Sequence, residues 1–134
     1  MKNKHVYLKS GKEESLRRFH PWVFSGAIHH ADPGINEGDI VRVVSADGTF
    51  IAVGHYQIGS IAVRVLSFKD IEIDGQFWRS RISSALKVRS LLGVTSSENN
   101  NTYRLVHGEG DHWPGLVIDI SGDTAVMHAH SAGM

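Results

Sequence analysis

Cysteine is absent from the 134 residues, which excludes disulfides, thiolate metal sites and a thiol nucleophile on this chain. No apolar run approaches the ~18 residues that a membrane-spanning helix requires, and no basic-then-apolar leader precedes the first strand. No internal repeat and no low-complexity segment is visible. Net charge is absent too: 14 Lys and Arg stand against 14 Asp and Glu. Taken alone, that balance argues against a nucleic-acid partner.

The distribution of charge says otherwise. Residues 1–20 carry Lys2, Lys4, Lys9, Lys12, Arg17 and Arg18 against Glu13 and Glu14. Residues 79–89 carry Arg79, Arg81, Lys87 and Arg89 with no acid, whereas from Glu98 onward five acids face Arg104 alone. A basic front and an acidic rear can bind a phosphate backbone by local field while the sum cancels.

The stretch from Arg17 to Ile28 concentrates this chemistry: two cations, a histidine and three aromatics around Pro21. Upstream, Ser10-Gly11-Lys12-Glu13 reads as a capping box, so a short helix is expected to open near Gly11 and run through Arg18. Pro21 disfavours helical geometry at His20, and the chain should leave extended. Trp22 and Phe24, two apart, then share one side of the extended piece.

Taken in order, His5–Lys9 alternates as a strand. Ala31-Asp32-Pro33-Gly34 is a turn. Ile40–Val44 is a strand of β-branched residues, and Asp47-Gly48 supplies the positive φ angles of a tight hairpin before the return of Thr49–Val53. Gly54 marks a bulge or a close backbone approach, and Ile61–Phe68 alternates again. These short strands predict a mostly β, barrel-like module. Beyond Asp74-Gly75, the residues Phe77, Trp78, Ile82, Ala85, Leu86 and Leu92 form the apolar stripe of an amphipathic helix stopped by Gly93. A polar, Asn-rich run at 96–102, expected to be mobile, leads to strands at Tyr103–Val106, Leu116–Ile120 and Thr124–His130. The last hairpin has apolar groups on both faces, which calls for cover on both faces. An exposed face or unpaired edge, with self-association through it, is the expectation for this chain.

The runs RRFHPWVFSGAI, GDIVRVVSADGTFIAVGHY and YRLVHGEGDHWPGLVIDI, in that order over nearly the whole chain, resemble the amino-terminal part of the RlmI-type ribosomal-RNA large-subunit methyltransferases. Those are S-adenosylmethionine-dependent cytosine-C5 methyltransferases. The resemblance implies a PUA-like RNA-binding domain over 1–73 and the helix and first strands of an α+β middle domain over 74–134. The Rossmann-like catalytic domain would be absent. The fold class is therefore α+β, mainly β: a PUA-like pseudobarrel followed by a helix and a small antiparallel sheet. Methylating cytosine at C5 ordinarily needs a nucleophile such as a cysteine thiolate, and no G-x-G-x-x-G-type loop is present to hold a cofactor. The expectation is no catalytic residue and no cofactor on this chain, with S-adenosylmethionine in the absent domain.

For RNA contact the candidates are Lys12, Arg17, Arg18, His20, Ser25, Gly26 and Arg64; the resemblance places the two arginines of the first helix beside the RNA groove. Each has a plainer alternative. Arg17 and Arg18 can pair with Glu13 or Glu14 along a solvated helix, His20 can cap the helix C-terminus, Ser25-Gly26 can be a simple turn, and Arg64 can be a solvated strand residue. Trp22 and Phe24 read as core, since large rings in a small domain are usually buried. In the loop from His107 to His112, Glu109 and Asp111 can organise the turn by bonding backbone amides, meet the absent domain, or do acid–base or cation chemistry. His128 and His130, or His29-His30, need a converging third ligand to hold a metal, and none is expected. Ribosomal RNA is the expected partner, bound with marked salt dependence in the cytoplasm and with no membrane. The rivals are a stand-alone RNA-binding module and a structural or protein-interaction domain.

Overall fold

The computed structural model describes residues 4–95 and 101–134. Lys2 and Glu98 lie outside these residues, as does the Asn-rich run apart from Asn101 and Thr102. The chain forms two units. One comprises residues 1–71 with 131–133, and the other residues 72–130 with Met134. The segment 131–133 thus joins the first unit rather than continuing the second. Two glycines admit it: a side chain at Gly38 would come within 2.8 Å of the Ala132 carbonyl oxygen, and one at Gly133 would run into the His55 ring.

The first unit holds β1 (Lys4–Leu8), α1 (Glu14–Arg17), β2 (Trp22–Phe24), β3 (Ile28–Ala31), β4 (Ile40–Val44), β5 (Phe50–Tyr56) and β6 (Ile61–Ser67). Its sheet runs β2-β6-β5-β4-β1-β3. The β1–β4 pair is parallel, with Val6 opposite Val43, and the other pairs are antiparallel. Register shifts interrupt all four antiparallel pairs. Each such bulge bends its strand and adds twist, and the sheet curls into a half-barrel. Inside lie Val6, Leu8, Val41, Val43, Ile51 and Val63. The Gly54 position is both a register shift and a close approach, because a Cβ there would collide with the Arg64 carbonyl.

Two local expectations fail here, and one strand was unforeseen, for identifiable reasons. The capping box does not form: Gly11 takes φ +81, which breaks helical geometry, and α1 begins only at Glu14, without a side-chain cap. Four residues cannot hold a helix by propensity, so α1 persists because Leu16, 2% exposed, docks into the core. In the β4–β5 hairpin only Gly48 takes a positive φ. Asp47 instead accepts from the Ser45 hydroxyl and the Thr49 amide, and these bonds hold its carboxyl down to about 2. Last, β3 had no sequence signal, because Ile28-His29-His30-Ala31 lacks alternation; it forms by pairing with β1.

The second unit holds α2 (Gly75–Leu91), β7 (Thr102–His107), β8 (Leu116–Ser121) and β9 (Thr124–Ala129), with the three strands antiparallel in sequence order. Asp74 caps α2 by accepting from the Phe77 amide at 2.9 Å. Gly93, at φ +78, ends it as the Gly93 and Val94 amides donate to the Ser90 and Arg89 carbonyls. This is the left-handed C-terminal motif that glycine favours. The core gathers Ala85, Val106, Trp113, Leu116 and Ile118 with Trp78 and Ile82 beside them, and the two indoles meet at 4.7 Å. Leu86 and Leu92 do not belong to the buried stripe. Both are exposed, Leu92 at 71%, because three strands are too narrow to cover more than one stripe of α2. All of β9 is exposed, Met127 at 69%, and its outer edge is unpaired within the sheet.

Candidate nucleic-acid interface

The end of α1 sets the geometry. The Phe19 amide donates to Leu16 and the His20 amide to Ser15, the paired bonds of a Schellman motif. The left-handed residue at its pivot is Phe19, at φ +65, where glycine is usual. Arg17 and Arg18 stand exposed on this turn, with Lys12 exposed just before it. Among the described residues no ion pair joins either arginine to Glu13 or Glu14. The intrahelical alternative therefore has no support.

Beyond Pro21 the chain enters β2, an edge strand paired with β6, with Trp22 opposite Arg64. Val23 fills the core, while Trp22 is half-buried and Phe24 is 48% exposed. The reading of both rings as core is thus corrected: their shared side of an edge strand faces away from the core that Val23 enters. The Arg64 guanidinium lies over the Trp22 ring at 5.5 Å. The His20 ring stands 6.1 Å from Trp22 and 5.9 Å from Phe24. Its Nδ1 is 3.2 Å from both the amide nitrogen and the carbonyl oxygen of Trp22, accepting from one or donating to the other by tautomer. The result is a strip of cation, indole, imidazole and phenyl along one strand. Such a strip can stack on bases and meet phosphates.

The structure gathers His20 and Arg64 with Trp22 and Phe24, and Ser25 follows directly in an exposed 3-10 turn through Ala27. A side chain at Gly26 would meet open space, so no close approach requires glycine there. Lys12, Arg17 and Arg18 share the preceding turn, and among the described residues no hydrogen bond or ring contact joins them to the strip. A further concave surface carried no motif. Tyr7 on β1 lies opposite His30 on β3, their rings 5.8 Å apart. A cavity of about 540 Å³ opens there, lined by Tyr7, Lys9, Ser10, His29 and His30 among others. Only the unforeseen β1–β3 pairing brings these residues together.

In the second unit the cations have other work. Arg89 grips Asp111 with both guanidinium nitrogens, at 2.5 and 2.7 Å, and its Nε donates to the Arg104 carbonyl. The pair is largely buried, with side-chain exposures of 14% and 10%. Asp111 also accepts from the His107 amide at 2.7 Å. Burial alone would raise the Asp111 carboxyl, but the Arg89 bond and the His107 amide outweigh it and hold the group below its ordinary value. Arg81 lies over the Phe77 ring at 4.6 Å and donates to the His112 carbonyl. The basic run at 79–89 is thus not a free patch, because two of its four cations are spent on the loop. Glu109 sits half-buried in the same loop, and the His112 amide donates to its carbonyl. The His128 and His130 rings stack at 6.4 Å. Among the described residues no group of three His, Asp or Glu converges on a metal position.

The chain as a whole is similar to known proteins. Residues 6–68 match the PUA-like domain model. The chain is 39% identical over 130 residues to ribosomal RNA large subunit methyltransferase I of Escherichia coli strain UTI89, covering 96% of this chain and 32% of that protein. The same protein from Escherichia coli strain SMS-3-5 is 38% identical over the same coverage. Among solved structures, a Streptococcus mutans protein described as a SAM-dependent methyltransferase aligns with TM-score 0.78 at 18% identity, over 96% of this chain and 33% of that one. A protein described as a methyltransferase complexed with SAH aligns with TM-score 0.77 at 19% identity, over 99% and 33%. At those identities the two structures speak to the fold. The chain spans about a third of the curated relatives it matches.

Proposed function

On the premise that residues 6–68 belong to the PUA-like domain family and that the chain is similar to about a third of a ribosomal RNA methyltransferase, we propose that it is the RNA-docking part of such an enzyme. It holds ribosomal RNA for methyl transfer at cytosine C5 by a catalytic domain elsewhere in the parent protein, in the cytoplasm. The observation that carries this reading is the exposed arginine pair at the end of α1, unclaimed by the neighbouring glutamates. The strip of Arg64, Trp22, His20 and Phe24 begins two residues further on. Lys12 extends the positive surface before α1, and Ser25 and Gly26 offer exposed backbone after β2.

S-adenosylmethionine is the cofactor expected of the parent. The residues present here do not fit it. The Gly-rich loop before β8 is closed by its own bonds, with both Asp111 oxygens held by Arg89 and the Trp113 ring buried in the core. No step of methyl transfer is assigned to this chain. Glu109 and Asp111 act in shaping their loop, and the open β9 edge is a surface for self-association or for further sheet, readable by light scattering as a concentration-dependent mass.

The test is the Arg17→Ala/Arg18→Ala pair, titrated with a labelled ribosomal-RNA fragment at several salt concentrations. Removing one phosphate-binding cation flattens the dependence of log K on log salt by about 1. The expected outcome is weaker binding to every RNA tested and a slope smaller by about 2. Unchanged affinity in a folded double variant would sink the proposal.

A further inference from the structure

Phe19 sits where the fold would be served as well by glycine. A non-glycine residue in the left-handed region is strained. Burying a phenyl ring fully would offset that strain, but Phe19 is 72% exposed and gains only a small part of it. Its edge-to-face contact with Phe68, at 5.3 Å and 82°, adds a modest attraction. Cost and gain cancel, so stability gives no reason for a phenyl ring here. Strained backbone of this kind concentrates at binding sites.

The ring forms one wall of a slot of about 240 Å³ whose other walls include Phe68, Phe50, Leu16 and Arg17. Phe50 is braced, because the Arg42 guanidinium lies over its ring at 5.8 Å and Arg42 is itself paired with Asp70. The slot thus has two aromatic walls in fixed mutual orientation, a third held in place, and one exposed cation at the rim. Its volume admits a flat ring but not a folded peptide segment. A planar, electron-poor face next to a negative charge suits these surroundings, and an unpaired nucleobase with its phosphate supplies both.

We infer that Phe19 and Phe68 receive a single unstacked base of single-stranded RNA, with Arg17 meeting the adjoining phosphate. This rests on the RNA-docking reading and gives it a second, charge-independent component. It places a base-binding residue on the turn itself, apart from the β2 strip.

The deciding variant is Phe19→Gly, since glycine relieves the left-handed backbone while deleting the ring. Stability should hold or rise, so loss of folding cannot mimic loss of binding. By fluorescence anisotropy, a short labelled single-stranded RNA should bind roughly five- to hundredfold more weakly, the span expected for one stacked base. The salt slope should stay at its wild-type value, and a duplex of the same sequence should bind unchanged. Phe19→Leu keeps bulk and strain without a π-face, and should lose single-strand affinity as well. Two results overturn the base slot: a destabilised Phe19→Gly with normal RNA affinity, which makes the ring a packing element, or a stable one with normal affinity. Wild-type chain that binds no RNA at all would overturn the docking reading together with the slot, whereas single-strand binding that survives Phe19→Gly removes the slot alone.

Discussion

As sequence, the pair Arg17 and Arg18 of the first unit resembles the pair Arg81 and Arg89 of the other: basic residues on a helix beside aromatic neighbours. Their fates differ. The first pair ends a one-turn helix and stands exposed, with no ion pair to a carboxylate among the described residues. The helix of the other pair faces a loop rich in carbonyls that carries its own acid, so Arg89 and Arg81 are drawn inward to Asp111 and His112. A cation run stays available for binding only where the fold leaves nothing to consume it. What decides is the supply of acceptors, not the charge.

The contrast breaks most visibly at Arg89. Arg89→Ala strands a largely buried Asp111 carboxylate and should cost roughly 3 kcal/mol of second-unit stability, seen as loss of amide protection in α2 and β7 by hydrogen exchange. RNA affinity should hold, and a fall in affinity with stability intact would make Arg89 a contact instead. A smaller effect comes from acid. Burial favours neutral His55 and lowers its pKa below 6.5, so in that range the unfolded chain binds the extra proton. First-unit stability is then fully present above about pH 6.5 and falls as pH drops toward the folded pKa. Asp111 acts in the same direction at lower pH: its depressed carboxyl stabilises fully above 3.8, and that contribution is lost only as pH falls further. Acidification followed by residue-resolved NMR should therefore weaken the first unit before the second. Reversed order would refute this pairing of causes.

Smaller still is the Asp47 turn. With its carboxyl held at about 2, its contribution is complete above 3.8 and fades between there and about 2, so Asp47→Asn should differ from the parent only above that window, as a lower melting midpoint. The smallest effect belongs to the arginines proposed to meet RNA. Arg17→Ala/Arg18→Ala should leave unfolding free energy within about 0.5 kcal/mol, as for surface changes in general. A larger loss would mean that these side chains hold α1 in place.

Local chemistry was legible wherever a residue decides its own backbone. Asp74 and Gly93 bound α2, and Gly54 marks the tight crossing. What resisted was non-local. The parallel β1–β4 pair and the β1–β3 edge join segments whose spacing carries no signal, so the Tyr7–His30 surface stayed hidden. The capping box at Ser10–Glu13 had the right letters, yet Gly11 chose the left-handed region and the box dissolved. Trp22 and Phe24 were judged by size, whereas position on an edge strand decided their exposure. Phe19 carried no signal at all, because a left-handed phenylalanine cannot be read from composition.

At Gly54, strands β5 and β6 cross so closely that the backbone of one occupies the room where the other's side chain would stand. A saturation library at this codon should return glycine almost alone among soluble clones, even though the residue touches no ligand and carries no charge. Tolerance maps of this domain would then flag an interior seam as sharply as any contact surface, and only the chemistry of binding would tell the two apart.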